Sequence, residues 1–429
     1  MRKIVVSILL TVLTAAGSAT LQADSLSDNY GLFFSGFVRS DLMWDSRQTV
    51  SAREGVFLLW PAKPLYDING IDVNDRSNLN ILSVLSRLRA DITGPEAFGA
   101  ETSGVLEFDF FGTADDFTGL VRMRHGYLRM VWNGGTELLA GQYWNPLFIV
   151  ENHPQTVTIS SGTPFNSFSR NPQVRLTAVA GNFSLIAAAL SQRDFPSVAS
   201  PDGLTSVTSS DYLRNSSLPD MHLQVHYKSS PADGSSFITG GGVAWKRIVP
   251  GLTIPGTTQT LESSAVVEGL SAIAFAGLTT PSMSVKFYAR YAENLNDIVN
   301  QGGYGISGIN VTTSQYEYLP LRNVSYWADF QTNGERVRAG LFAGYLCNRG
   351  SSKELYGEQP SLFGRAMDIA RLMRVSPRVI FSSGRATVGA EAEHTTAWYG
   401  DGTYDSYGRP LNREAVSNLR LITTITYSF

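Results

Sequence analysis

The chain has 429 residues, of which 43% are hydrophobic, 17% charged and 11% aromatic, and its formal net charge is −3. Charged residues are fewer than the roughly 25% of a typical soluble domain, and the composition excludes disordered and collagen-like chains. The acidic balance provides no basic footprint, so nucleic acid is not expected as a partner. The single cysteine, Cys347, excludes an intramolecular disulfide framework and multi-cysteine metal sites.

The first residues have the pattern of a secretory signal peptide. Arg2 and Lys3 precede an apolar stretch, which is followed by small residues suited to cleavage. The apolar stretch is shorter than the about 20 residues that a membrane-anchoring helix needs. The sequence therefore predicts a signal peptide at residues 1–23 and an exported barrel domain at residues 24–429.

Hydrophobic periodicity in the exported part predicts strands rather than membrane helices. No apolar run is long enough for a transmembrane helix, and stretches of about ten residues alternate between apolar and polar positions. The clearest stretch, 415–429, includes Tyr427 and ends at Phe429. A terminal aromatic residue on an amphipathic strand resembles the membrane-insertion signal of bacterial outer-membrane barrels, so we expect the barrel-assembly machinery as a partner.

Turn signals allow the strands to be counted. Seven short connections are predicted at 94–99, 133–136, 181–182, 229–235, 279–282, 332–335 and 382–385. Eight longer connections are predicted at approximately 46–78, 112–118, 144–170, 193–218, 248–261, 293–319, 347–366 and 400–412. These numbers require sixteen strands. We therefore expect an all-β fold, a 16-stranded antiparallel transmembrane β-barrel with short periplasmic turns and long extracellular loops.

The alternative architecture is a periplasmic or secreted β-sandwich assembly or a propeller. No internal repeat is visible, and closure of sixteen strands removes every sheet edge, so the barrel is favoured. Pro377 removes a ladder donor within the predicted strand 370–381, and a bulge is expected there.

Turning the apolar face of each strand towards lipid places charged side chains on the lumen face. The basic ones are Arg39, Arg87, Arg89, Arg122, Arg124, Arg175, Lys286, Arg290, Arg374 and Arg378, and the acidic ones are Asp41, Glu107, Asp109, Asp329, Glu391 and Glu393. Two roles stay open for these pore-lining residues. They form cross-strand ion pairs worth about 0.2–1 kcal/mol each, or they select ions that cross the pore. The excess of basic residues predicts a mild anion preference.

A barrel of this size leaves an aqueous channel, which an infolded loop usually narrows. The segment from Trp144 to Ser169 is the best candidate for this constriction loop, because it is long and rich in proline and aromatic residues. Its candidate residues are Trp144, Phe148, Glu151 and His153. Alternatively, the segment packs at a subunit interface. The segment 46–78 either covers the mouth of the barrel or latches onto a neighbour.

Several segments resemble the outer-membrane porin-like proteins of Bacteroidota and, more loosely, the trimeric general and DcaP-type porins. They are Gly-Phe-Val-Arg-Ser-Asp at 36–41, Gly-Pro-Glu-Ala-Phe-Gly-Ala at 94–100, Arg-His-Gly-Tyr at 124–127, Gly-Gln-Tyr-Trp-Asn-Pro at 141–146 and Ser-Arg-Asn-Pro-Gln-Val-Arg at 169–175. The resemblance is densest over 30–180. It implies a homotrimeric diffusion channel whose constriction loop starts near 142–146, with Arg87, Arg89, Arg122 and Arg124 on inward positions of the wall.

Catalytic or metal chemistry does not assemble in the sequence. His222 and His226 would lie about 13 Å apart on a strand, too far to share one ion. We therefore expect no enzyme, no metal and no cofactor, although the sequence leaves open a serine–histidine dyad, whose members need not be adjacent.

The function expected is that of an outer-membrane porin, embedded in lipid, that lets ions and small hydrophilic solutes diffuse passively. The alternatives are a substrate-specific outer-membrane channel, or a plugged barrel that acts as an adhesin or an enzyme.

Overall fold

The computed structural model describes residues 30–166, 168–229, 231, 233–256 and 260–429. The predicted signal peptide at 1–23 lies outside the described residues, as does the start of the predicted mature chain.

Sixteen antiparallel strands form a closed barrel wall, as predicted. They are β1 (Gly31–Asp45), β2 (Arg87–Ala97), β3 (Ala100–Asp109), β4 (Arg122–Trp132), β5 (Glu137–Trp144), β6 (Arg170–Ala180), β7 (Phe183–Leu190), β8 (Asp220–Ser229), β9 (Ser236–Ile248), β10 (Val267–Thr279), β11 (Met283–Glu293), β12 (Tyr316–Thr332), β13 (Val337–Gly350), β14 (Ile369–Ser383), β15 (Ala386–Tyr399) and β16 (Glu414–Ser428). Each strand pairs with its neighbours in the chain. The barrel closes where β16 pairs with β1, from Phe37↔Ser428 to Asp45↔Arg420.

Short and long connections alternate around the wall. The short ones lie at 98–99, 133–136, 181–182, 230–235, 280–282, 333–336 and 384–385, close to the predicted positions. The long ones lie at 46–86, 110–121, 145–169, 191–219, 249–266, 294–315, 351–368 and 400–413. All long connections therefore leave the same end of the barrel. Which end faces the periplasm stays a prediction.

The alternation of β16 is observed as predicted. Leu421, Ile425 and Tyr427 are exposed on the outer face, whereas Arg420 and Thr424 are buried on the inner face. Successive side chains of a strand point to opposite faces, so this pattern gives an apolar exterior and a polar interior.

The connections carry short elements. Short strands lie at Thr49–Ala52, Phe57–Pro61, Asn78–Leu82, Val198–Ala199, Val207–Thr208, Gly302–Ile309 and Leu362–Arg365. Short helices lie at Asp115–Phe117, Val150–Asn152 and Asp211–Asn215. Within the described part of the chain, no helix is long and apolar enough to cross a membrane.

The expected bulge at Pro377 is wrong. Strand β14 keeps one register with β15 on both sides of the proline, at Val375↔His394 and Arg378↔Glu391. Its pairing with β13 is also continuous through Pro377. Proline lacks a backbone N–H, so the β14–β15 ladder skips this position without inserting an extra residue.

Candidate functional site in the barrel interior

Glu107 on β3 is the centre of a charged network on the inner wall. Arg124 Nε lies 2.6 Å from Glu107 Oε1, and Arg124 Nη1 lies 3.0 Å from Asp109 Oδ2. Arg87 and Arg89 of β2 lie 3.5 Å and 3.6 Å from the Glu107 carboxylate. The structure therefore brings together predicted inward residues from three adjacent strands as ion pairs.

A β-bulge in β4 changes which residues face inward. The ladder to β3 passes from Glu107↔His125 to Phe108↔Met123, which leaves Arg124 without a partner residue on β3. The bulge shifts the alternation by one residue, so sequence reasoning missed the inward residues beyond it. On β4, Arg122 and Arg124 face inward up to the bulge. After the bulge the inward residues are His125, Tyr127 and Arg129.

Asp194 joins three arginines that come from different parts of the chain. Arg170 Nη2 lies 2.7 Å from Asp194 Oδ2, while Arg122 Nη1 and Arg53 Nη2 lie 3.4 Å and 3.6 Å from Asp194 Oδ1. Burial alone would raise the pKa of Asp194, but the arginine charges outweigh it and the pKa is lowered. Burial lowers the pKa of Arg53. Sequence reasoning missed this cluster because Arg53 and Asp194 lie in loops.

Residues 145–166 and 168–169, called the inward loop below, fold inside the barrel. Its backbone and side chains bind residues of the inner wall on distant strands. The hydrogen bonds are Asn152 Nδ2 to Phe287 O at 2.8 Å, Gln155 N to Asp329 Oδ2 at 3.1 Å, Val157 N and Thr158 N to Glu391 Oε2 at 2.5 and 2.9 Å, Lys286 Nζ to His153 O at 3.0 Å, and Arg374 Nη1 to Thr163 O at 2.7 Å. The inward loop therefore packs against β11, β12, β14 and β15.

The loop also contacts the first strand. Arg39 Nη2 donates to Val157 O at 2.8 Å, and the same guanidinium pairs with Asp41 at 2.6 Å. This pair holds the loop near the seam between β1 and β16.

The inward loop buries most of the predicted pore-lining charges of β11 to β15. The side chains of Arg378 and Asp329 are 0% and 1% exposed and pair at 2.7 Å. Arg374 and Glu393 pair at 3.3 Å and are equally buried. These four residues, with Lys286, Arg290 and Glu391, lie on the inner wall but contact protein rather than an open lumen. The sequence predicted these residues as pore-lining and did not show that the loop covers them.

The predicted constriction-loop residues divide into an aromatic group and one exposed carboxylate. Trp144 and Phe148 pack with ring centroids 4.6 Å apart, and the guanidinium of Arg170 lies 5.1 Å from the Trp144 ring. His153 stacks on Phe148 at 5.8 Å. Glu151 is half exposed and forms an ion pair with Lys228 of β8. The aromatic group anchors the start of the loop, whereas Glu151 retains contact with water.

The first long connection also enters the barrel. Phe57–Pro61 is buried throughout, and Leu58 O accepts a 3.0 Å hydrogen bond from Arg374 Nη2. Tyr399 OH donates to Pro61 O at 2.7 Å. Trp60 belongs to the same apolar cluster as residues of the inward loop. This part of the connection fills the mouth of its own barrel, in agreement with one of the two predicted alternatives.

Inner-wall charged pairs that keep water contact lie on β2, β4 and β5. Arg89 and Asp91 pair at 2.6 Å and are 33% and 40% exposed. Arg129 and Glu137 pair at 2.6 Å and are 47% and 22% exposed. Arg175 of β6 is partly buried, and its guanidinium lies 5.0 Å from the Tyr143 ring. The water-exposed charges of the inner wall therefore lie on other strands than β11 to β15, which the inward loop covers.

The terminal aromatic residues lie on the outer surface beside β1. Phe429 N donates to Gly36 O at 3.1 Å, and Gly36 N donates to Phe429 O at 3.2 Å. The side chains of Tyr427 and Phe429 are exposed. Their role in membrane insertion stays a prediction.

No protein-family model matches the chain, and no curated protein matches it. Solved structures do match. The outer membrane channel DcaP of Acinetobacter baumannii gives a TM-score of 0.65 at 17% identity, covering 95% of this chain and 100% of that chain. The anion-selective porin from Comamonas acidovorans gives a TM-score of 0.53 at 12% identity, covering 93% of this chain and 100% of that chain.

OmpT, an outer-membrane protein of Vibrio cholerae, gives a TM-score of 0.52 at 13% identity, covering 94% of this chain and 99% of that chain. At these identities the matches establish a shared fold. This chain therefore has the β-barrel fold seen in outer-membrane porins. The more specific resemblance to Bacteroidota proteins stays a prediction.

Proposed function

We propose that this chain is an outer-membrane porin through which ions and small hydrophilic solutes diffuse passively. The observation that carries the proposal is the one-sided position of the inward loop. The loop packs on β11 to β15, while charged pairs on β2, β4 and β5 stay exposed to water. Water-exposed fixed charge on an inner wall suits a hydrated path for polar solutes.

The exposed charges favour anions. Partly exposed inward groups include six basic residues, Arg39, Arg87, Arg89, Arg129, Arg175 and Lys228, and three acidic residues, Asp91, Glu137 and Glu151. Fixed positive charge along a pore raises the local concentration of anions. A protein of the same fold is named an anion-selective porin, which agrees with this direction.

The proposed setting is the outer membrane of a Gram-negative bacterium of the Bacteroidota, reached through a cleaved signal peptide and the barrel-assembly machinery. The exposed apolar faces of the strands would contact lipid. A homotrimer is proposed, and one matched protein, OmpT of Vibrio cholerae, is described in a trimer form. An enzymatic role is not proposed.

Single-channel recording in a planar bilayer under a salt gradient tests the function. We expect stepwise conductance with a reversal potential on the anion-preferring side. Heat-unfolded protein in the same detergent is the control. Folded protein that gives no steps would contradict an open porin, and a clear cation preference would contradict the proposed selectivity.

A second candidate is a barrel that opens only for a specific substrate. It is favoured by the apolar cluster that the two entering loops share, which includes Leu59, Trp60, Leu147 and Phe165. Such a cluster narrows the loop end of the barrel. This candidate predicts silence in salt alone and steps only after a solute is added.

A further inference from the structure

A cavity of about 430 Å³ lies where β4 and β5 separate. The two strands pair only up to Gly126↔Gln142. Beyond that point, β4 continues along β3, and β5 continues along β6. The Gln142 side-chain amide donates to Met123 O and Arg124 O, both at 3.0 Å, and so bridges the base of the split. We call this space the wall-split cavity.

Arginine dominates the charge of the wall-split cavity. Its charged lining consists of Arg53, Arg122, Arg170, Arg193 and a single carboxylate, Asp194. Asp109 lies behind Arg122 at 2.8 Å and offsets part of that charge. Asp115 also lies close, and its carboxylate accepts a 2.7 Å hydrogen bond from Arg53 N. Four guanidinium groups therefore meet three carboxylates, and a net positive charge is left.

Two of these arginines are buried with unused donors. Arg170 is 1% exposed, and its Nη1 has no hydrogen-bond partner among the described residues. Arg53 is 5% exposed, and its Nε is also without a partner in that part of the chain. Buried polar groups are normally hydrogen-bonded, so these two atoms are unused donors beside the cavity. Guanidinium groups match phosphate oxygens in charge and geometry.

The mouth of the cavity includes the outer surface of the wall. Val121 and Met123 line it and are 62% and 44% exposed. Exposed Arg193 lies at the same cavity. The opening thus combines apolar side chains on the outer face with an arginine reachable from solvent. Because the long connection 110–121 precedes β4, the split lies at the loop end of the barrel.

We propose that the wall-split cavity binds a phosphate group. The apolar mouth favours a phosphate that belongs to a membrane lipid, and free inorganic phosphate has the same chemistry. The lipid source rests on the proposed membrane setting, whereas the phosphate site itself depends only on the arginines. Arg170 and Arg53 would donate to the phosphate oxygens from the interior, and Arg193 would close the site from outside.

The test uses full-length folded protein stripped of lipid by detergent exchange. Native mass spectrometry measures binding of dioleoyl phosphatidate, of dioleoylglycerol as its uncharged counterpart, and of inorganic phosphate. Arg193→Gln removes one charge at the solvent side and so leaves the buried pairs intact. Arg349→Gln, an exposed arginine elsewhere, is the matched control.

We expect phosphatidate to bind and dioleoylglycerol not to bind, with affinity reduced about tenfold in Arg193→Gln and unchanged in Arg349→Gln. Arg193→Lys should restore part of the affinity, because it keeps the charge. Tighter binding of phosphatidate than of inorganic phosphate identifies the lipid as the source, and equal binding identifies free phosphate. Equal phosphatidate binding by wild type and Arg193→Gln, or no binding of either phosphate probe, would overturn the proposal. Conductance of the same samples reports separately on the proposed porin function.

Discussion

The carboxylate of Glu391 on β15 accepts a 2.5 Å hydrogen bond from the backbone amide of Val157 in the inward loop. The same oxygen accepts from Thr158 N, and the other oxygen accepts from Ser376 Oγ. Both carboxylate oxygens thus receive donors, and the loop is held to the wall through an acceptor-only group.

Replacing this carboxylate by an amide should loosen the inward loop. In Glu391→Gln, a neutral amide oxygen takes the place of the charged oxygen that accepts from Val157 N and Thr158 N, and these two hydrogen bonds lose their charge assistance. Hydrogen bonds to charged groups contribute about 1.5–3 kcal/mol, so the loss is large enough to shift the loop. We expect noisier or larger single-channel steps. Glu335→Gln, at an exposed turn, should leave the steps unchanged, and identical traces for both variants would contradict the anchoring role.

Breaking the buried pair between Arg378 and Asp329 should destabilise the barrel. Arg378→Met leaves the Asp329 carboxylate buried without its main partner, at a cost of about 3–5 kcal/mol. This loss of stability is measured as the change in the free energy of unfolding by denaturant in detergent. Arg247→Gln is the control, because Arg247 pairs with Glu268 at the surface and should contribute less than about 1 kcal/mol. Similar losses in both variants would argue against deep burial of the first pair.

Removing a water-exposed arginine should reduce the anion preference. Arg89→Gln leaves Asp91 with a net negative charge on the inner wall. We expect the ratio of anion to cation permeability to fall by roughly a factor of two, because fixed charge sets the local ion concentration. Reversal potentials under a salt gradient measure the ratio. Arg385→Gln, in an exposed turn, serves as the comparison. An unchanged ratio in Arg89→Gln would place the ion path elsewhere.

Acid should weaken the cluster around Asp194. The pKa of this carboxyl is lowered in the folded state. The ionised carboxyl therefore contributes its full stabilisation at pH values above about 4, the pKa of an aspartate in the unfolded chain. The contribution is lost as the pH falls through the folded-state pKa. Unfolding free energies of wild type and Asp194→Asn should therefore differ at pH 7 and converge in acid. Asp116→Asn, exposed in a neighbouring loop, should show no such convergence. If the difference in unfolding free energy between wild type and Asp194→Asn stayed constant with pH, ionisation of Asp194 would not stabilise the fold.

Sequence reasoning predicted the wall better than it predicted the interior. Period-two alternation and turn residues sufficed to count the sixteen strands of the wall. These features are local, because each strand carries its own pattern. The β4 bulge was missed, since one extra residue reverses the pattern without changing composition.

The contents of the lumen could not be predicted from local patterns. The cluster of Arg53, Arg170 and Asp194 joins positions more than a hundred residues apart. Nor did the sequence show that the inward loop covers Arg374 and Arg378. Such contacts depend on how loops pack in the closed barrel, and no periodicity encodes that packing.

The pairing of β16 with β1 has a consequence for the order of folding. Most ladders of the wall join strands that follow each other in the chain, but the seam joins Phe37 to Ser428, about 390 residues away. Loop-closure entropy opposes such a distant contact until most of the hairpins are in place. The nascent protein must therefore pass through an open sheet with two unpaired edges, a form prone to aggregation that has to be sheltered until the last strand arrives.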